Sequence, residues 1–253
     1  MKALLPFINQ QFNGAIWRLE IDSVSNFIFA EIRNSEEKTV SFSAVDLSSG
    51  KMNFNGLTMP ERWLTGIEAA YSGVLLLHGF ESPSSPVHKG IIAIDTVNSK
   101  TLWTNYTYAF DHLSVNGPVL YNSQVQPKRL MIADEKNGML LRKYDPMIDT
   151  VPGNFILSPQ ILPIAFLTSM GLNIEPYGNS FHYLEHNNFR IVSLHSFKAE
   201  KLRQHLYIIH NGDVIYEDIL NSVIQKIQPE AFILHKNCLI YIKNKRELKA
   251  LDL

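Results

Sequence analysis

The chain has 253 residues, 45% of them hydrophobic, with 23 Lys and Arg against 24 Asp and Glu. That length buries a sizeable core, and a formal charge of -1 gives no field to gather phosphates, which argues against nucleic-acid binding. No run approaches the roughly 18 apolar residues that span a bilayer, the opening MKALLPFINQQFNG lacks a secretory pattern, and Cys238 is the one cysteine, so a cytoplasmic protein without membrane contact is expected.

In chain order, AIWRLEID, NFIFAEIRN, TVSFSAVDL and KMNFNG alternate apolar and polar residues between turn signals and read as one four-stranded sheet. A hairpin turn over residues 23–26 sets Asp22 opposite Phe27 and Arg18 opposite Glu31. Opposite charges facing each other contribute roughly 0.2–1 kcal/mol, so that pair needs no catalytic explanation. A second sheet follows from TGIEAAY, GVLLLHGF, GIIAIDT and TLWTNYT, and a third from HLSVNG, PVLYNSQ, RLMIADE and MLLRKYD.

Residues 146–178 form an apolar insertion, too long for a plain link between sheets and too hydrophobic for disorder. It is expected to pack, over a channel mouth, as a ligand lid or against a partner. SFHYLEH, FRIVSLHSF, RQHLYIIH and DVIYEDI give a fourth sheet, and ILNSVIQKI (219–227) carries the chain's one helical signal. AFILHK, CLIYIKN and ELKALDL make a fifth sheet with three strands, which KALLPFI at the N-terminus is placed to complete.

The same form recurs: an apolar strand, a turn opened by Asp46, Asp95 or Asp134, and a second strand. A period of roughly forty to fifty residues made only of strands points to a propeller with one blade per repeat. The chain is expected to be a single all-β domain over residues 1–253, a closed propeller of five four-stranded blades. Recurrence of the aspartates, Asp252 included, assigns them to turn capping rather than to chemistry.

IIAIDTVNSKTLW, with weaker copies elsewhere, resembles the repeat of quinoprotein (PQQ-like) propellers. IWRLEID, VSFSAVDLSSG and LLLHGFESPSSPVHKGIIAID, within residues 16–103, resemble an uncharacterised Bacteroidetes family described as a domain of unknown function. The first resemblance implies the propeller fold. Quinone-dependent dehydrogenases of that kind carry an adjacent cysteine pair, which one cysteine cannot supply, so no cofactor is expected.

TMPERWLTG (58–66), FESPSSPVHK (80–89) and YAFDHL (108–113) read as loops gathered on one face. The candidate ligand-binding residues are Arg62, Trp63, His88, Lys89 and Asp111 in these segments and His78 at the end of the apolar strand before the second. For Trp63 the competing reading is a packing wedge, and for His78 a buried histidine satisfied locally. His182 and His186, four apart on a strand, lie roughly 13 Å apart, too far for one ion, and no metal site is expected. Three functions remain: a binding or interaction module for a protein partner or small ligand, more in keeping with a non-enzyme; a glycan-directed hydrolase or lyase using carboxylates such as Glu31, Glu68 and Asp111; and a quinone-dependent oxidoreductase.

Overall fold

Strand alternation broken by turn residues is what the backbone follows. The computed structural model describes residues 4–153 and 155–253, without the side chain of Ser169, and its elements are strands apart from a short 3-10 helix, Ile164–Met170. The strands form five antiparallel sheets. The first of them, β1 (Ile8–Gln11), finds its partner in a strand far along the chain.

Three consecutive four-stranded sheets make one unit, Asn13–Asn154. The first contains β2 (Ala15–Asp22), β3 (Phe27–Asn34), β4 (Thr39–Asp46) and β5 (Met52–Leu57). The second contains β6 (Thr65–Tyr71), β7 (Val74–Ser82), β8 (Ser85–Asp95) and β9 (Thr101–Asn105). The third contains β10 (Tyr108–Ser114), β11 (Gly117–Asn122), β12 (Leu130–Ala133) and β13 (Leu140–Lys143). Each runs in sequence order, so the first strand of each is an edge.

Hydrophobic faces meet between neighbouring sheets of this unit. Phe29, Phe42, Leu75 and Leu77 fill the space between the first and second, with Trp63 at its margin. Leu76, Ile91, Leu120 and Ala133 do the same between the second and third, with Trp103 against them. Each such Phe, Leu or Ile side chain stabilises the fold by about 1.5–3 kcal/mol.

The turns close as their aspartates predict. Asp46 accepts from the Ser48 amide and Ser49 hydroxyl, Asp95 from the Val97 and Asn98 amides, and Asp134 from the Lys136 and Asn137 amides. Asp252 departs from this pattern, sitting at a strand end opposite Cys238. Asp22 adds a cap of the same kind on Val24 and Ser25, and its second oxygen accepts the Gly73 amide at 2.7 Å, tying the first sheet to the second.

The other unit, Met1–Phe12 with Phe155–Leu253, holds two five-stranded sheets. One is ordered β15-β16-β17-β18-β19, with β15 (Gln160–Pro163), β16 (Ser180–His186), β17 (Phe189–Lys198), β18 (Lys201–His210) and β19 (Asp213–Ile224). The other is ordered β1-β22-β21-β20-β14, with β14 (Ile156–Leu157), β20 (Ile233–His235), β21 (Cys238–Lys243) and β22 (Glu247–Asp252). The N-terminal segment therefore adds a strand to the fifth sheet, as expected, but that strand is Ile8–Gln11, which shares only Ile8 with the expected KALLPFI. It begins only after Pro6, which has no N–H to donate, and the Phe7 amide bonds the Ala250 carbonyl at 3.0 Å; Lys2 and Ala3 of the expected segment lie outside the described residues.

Two expectations change here. The insertion supplies extra edge strands, β14 and β15, to both sheets of this unit. The helical signal over 219–227 falls on β19, whose pairing with β18 shifts register three times. Each bulge breaks strict alternation, and the resulting apolar spacing imitates a helix. Among the described residues no helix is long and apolar enough to cross a membrane.

Candidate functional site

The first strands of the three-sheet unit share a defect. Register shifts fall between Ile16 and Arg18 in β2, between Ile67 and Ala69 in β6, and between Phe110 and His112 in β10. The extra residues are Trp17, Glu68 and Asp111. A bulge on an edge strand re-aims its side chain and is common beside functional sites. In the two-sheet unit the corresponding strands, β16 and β20, are covered by β15 and β14.

Glu68 meets two histidines of its own sheet. Its Oε2 lies 3.0 Å from His78 Nδ1 on β7 and 2.8 Å from His88 Nδ1 on β8. The imidazole rings stack 3.6 Å apart at 7°, and Phe80 stands edge-on to both. His78 is 4% exposed, Glu68 10% and His88 38%. Burial would raise the Glu68 carboxyl, but the close contact of His78 and the hydrogen bond and contact of His88 outweigh it and hold the group below its ordinary value. His78 fits because residue 66 is glycine: a Cβ there would lie 3.0 Å from His78 Nε2 and 3.2 Å from Glu31 Oε2.

Arg18 joins β2 to this bulge. Its guanidinium donates to the carbonyls of Ile67 at 2.9 Å and Glu68 at 3.0 Å and pairs with Glu20 at 3.0 Å. Burial raises the Glu20 carboxyl; Arg18 opposes the rise and Glu68 adds to it. The register of Arg18 opposite Glu31 is as the turn implied. Their side chains nevertheless part: Glu31 is 2% exposed and accepts from Arg33 Nε at 2.7 Å and the Ile67 amide at 2.9 Å. Glu31 is thus a structural carboxylate.

At the third bulge, Asp111 pairs with His112 Nδ1 at 2.6 Å and with Lys128. Burial opposes its ionisation, and Lys128 and His112 more than offset that, so its carboxyl also stays below the ordinary value.

Of the residues singled out by sequence, His78 and His88 come together and Asp111 heads a separate cluster. Two segments read as loops are strands: residues 108–113 belong to β10, and the 80–89 stretch continues β7 and β8 around a turn at Pro83 and Ser84, so His88 and Lys89 sit on β8. Lys89 is exposed. Trp63 is the wedge at the margin of the first inter-sheet core, with Arg33 5.2 Å and Lys38 5.1 Å from its ring centre. Arg62 is exposed and contributes its carbonyl to the Val40 amide. Glu68, expected only as a carboxylate of the hydrolase or lyase reading and not among the ligand-binding residues, is the group that His78 and His88 meet.

His182 Nε2 bonds the Pro229 carbonyl and His186 faces Asn237, so these two serve different neighbours. The two-sheet unit also has a groove of about 260 Å³ lined by Glu185, Arg190, Ile209 and Asn211. That is smaller than the roughly 300 Å³ at which small-molecule sites begin.

Fold and site together define an all-β chain of five antiparallel sheets with a polar cluster on a bulged edge. Residues 21–103, which contain Glu68, His78 and His88, match a family described as Domain of unknown function (DUF4905). No curated protein matches the chain. Among solved structures, the chain is similar to the beta-propeller domain of the Trilobed protease from Pyrococcus furiosus, described as having an open velcro topology, at 11% identity and a TM-score of 0.35 over 94% of its length. It spans 65% of that chain.

Proposed function

We propose that the chain is a binding module that takes a small polar ligand along the bulged edge of the three-sheet unit. The supporting observation is the recurrence of one bulge in three consecutive first strands, with Trp17, Glu68 and Asp111 as the re-aimed residues. Both carboxyls are held ionised beside histidines, ready to accept from hydroxyl or amine donors. Trp17 is 72% exposed, which leaves ring surface for stacking on a sugar-like face.

A thermal-shift screen of sugars, polyols, amines and nucleotides tests this. A ligand at a hundred times its dissociation constant adds roughly 2.7 kcal/mol, seen as a shift of several degrees that Glu68→Gln and Asp111→Asn reduce. No shift in the wild type, or a shift indifferent to both substitutions, would turn the search to protein partners.

The opposite displacements of Glu20 and Glu68 favour a second reading, a hydrolase or lyase at the same edge. Carboxyls displaced in opposite directions suit the separate roles of acid and base. Turnover of a bound glycan, lost in Glu20→Gln while binding persists, would select it.

A further inference from the structure

The Glu68 cluster holds a feature that packing does not account for. His78 is almost wholly buried, yet neither ring nitrogen has a hydrogen-bond partner. Its Nδ1 lies close to Glu68 Oε2 but off the line of a hydrogen bond, whereas His88 Nδ1 donates to that oxygen at 2.8 Å. An orphaned buried imidazole is costly, and here it stands beside a second imidazole and a carboxylate. The donor atoms of all three residues lie within 4.8 Å of one another.

The spacing suits a common ion. First-row metals bind imidazole nitrogen and carboxylate oxygen at about 2.0–2.2 Å, which separates tetrahedral neighbours by roughly 3.3–3.6 Å; the two carboxylate–imidazole separations here are 3.0 and 2.8 Å, so spreading the donors by several tenths of an ångström would seat one ion. Two nitrogens and one carboxylate oxygen suit zinc and its neighbours rather than the oxygen-only preference of calcium or magnesium. The parallel rings require one imidazole to turn about its Cβ–Cγ bond before both lone pairs converge. His88, the exposed one, has room to turn, and the same opening leaves a coordination position for water or a ligand.

We infer that Glu68, His78 and His88 form a binding site for one divalent first-row transition-metal ion of the zinc class. This deepens the binding reading, with which it shares Glu68, by assigning an ion to the second bulge.

The test is titration of the chelator-treated full chain with zinc, followed by calorimetry, and with cobalt(II), followed by its visible absorption. One equivalent should bind and give a cobalt spectrum with nitrogen ligation. His88→Ala, at a site exposed enough to tolerate truncation, should weaken binding at least about tenfold, and the near-isosteric Glu68→Gln should weaken it too, both with unchanged circular dichroism. Asp213→Asn, at an exposed strand end of the two-sheet unit, should bind metal as the wild type does. Absence of zinc binding by the wild type, or equal binding by His88→Ala, overturns the inference. The compound screen repeated in chelator, with Asp111→Asn as its variant, tests the small-ligand reading separately.

Discussion

Trp103 of the second sheet lies against Gly138 in a turn of the third and donates its indole N–H to the Glu135 carbonyl at 2.8 Å. Gly138 has φ +72°, and a Cβ there would fall 2.6 Å from Trp103 Cδ2. Gly138→Ala should therefore combine left-handed strain with a displaced indole and cost at least about 2 kcal/mol in urea unfolding. Gly56→Ala, at φ +73° but facing open space, should cost only the strain, about 1 kcal/mol.

Arg33 lies between Trp17 and Trp63, 5.5 and 5.2 Å from their ring centres, and neutralises buried Glu31. Arg33→Ala strands that carboxylate and should cost about 3 kcal/mol or more. The double variant Arg33→Ala/Glu31→Gln should recover part of the loss. Additive costs in this cycle would mean that the ion pair contributes nothing.

The two-sheet unit should be sensitive to acid. Burial, with smaller contributions from His182 and His205, lowers His195 to about 4, and its Nε2 accepts the Gln228 amide at 3.1 Å. The unfolded chain takes up this proton near pH 6.5, so the native state binds fewer protons between the two values. His195 then contributes its full stability above about pH 6.5 and loses it as pH falls toward 4. Thermal midpoints measured from pH 7 to 4 should fall, less steeply in His195→Gln. Equal slopes would remove His195 from the account.

Cys238 should be a poor nucleophile, because burial first and Asp252 second push its thiol up to about 12. Alkylation by iodoacetamide at pH 8 should be more than about tenfold slower in native than in urea-unfolded protein. Equal rates would show that the thiolate forms freely in the fold.

What the sequence disclosed was whatever is decided locally. Asp46, Asp95 and Asp134 announce their hairpins because each carboxylate accepts from the amide two residues ahead and from the amide, or for Asp46 the hydroxyl, three ahead. Strands with unbroken alternation, such as β16, have the bounds their pattern implied. Bulges defeated the same logic: around Asp111 the pattern slipped, and β10 passed for a loop until His112. Pro86 also suggested a loop, but it lies in β8 beyond the residues that β9 pairs, where a missing N–H costs no ladder bond. The Glu68 cluster is assembled from three strands, and spacing along any one of them carries no trace of it.

The pairing of β1 with β22 has a consequence for the newborn chain. β1 leaves the ribosome before the three-sheet unit, and its partner is made only after it. The three-sheet unit has all its strands early and is free to fold while synthesis continues. β1 must meanwhile wait without its partner, so Ile8–Gln11 is open to mispairing until β22 is made.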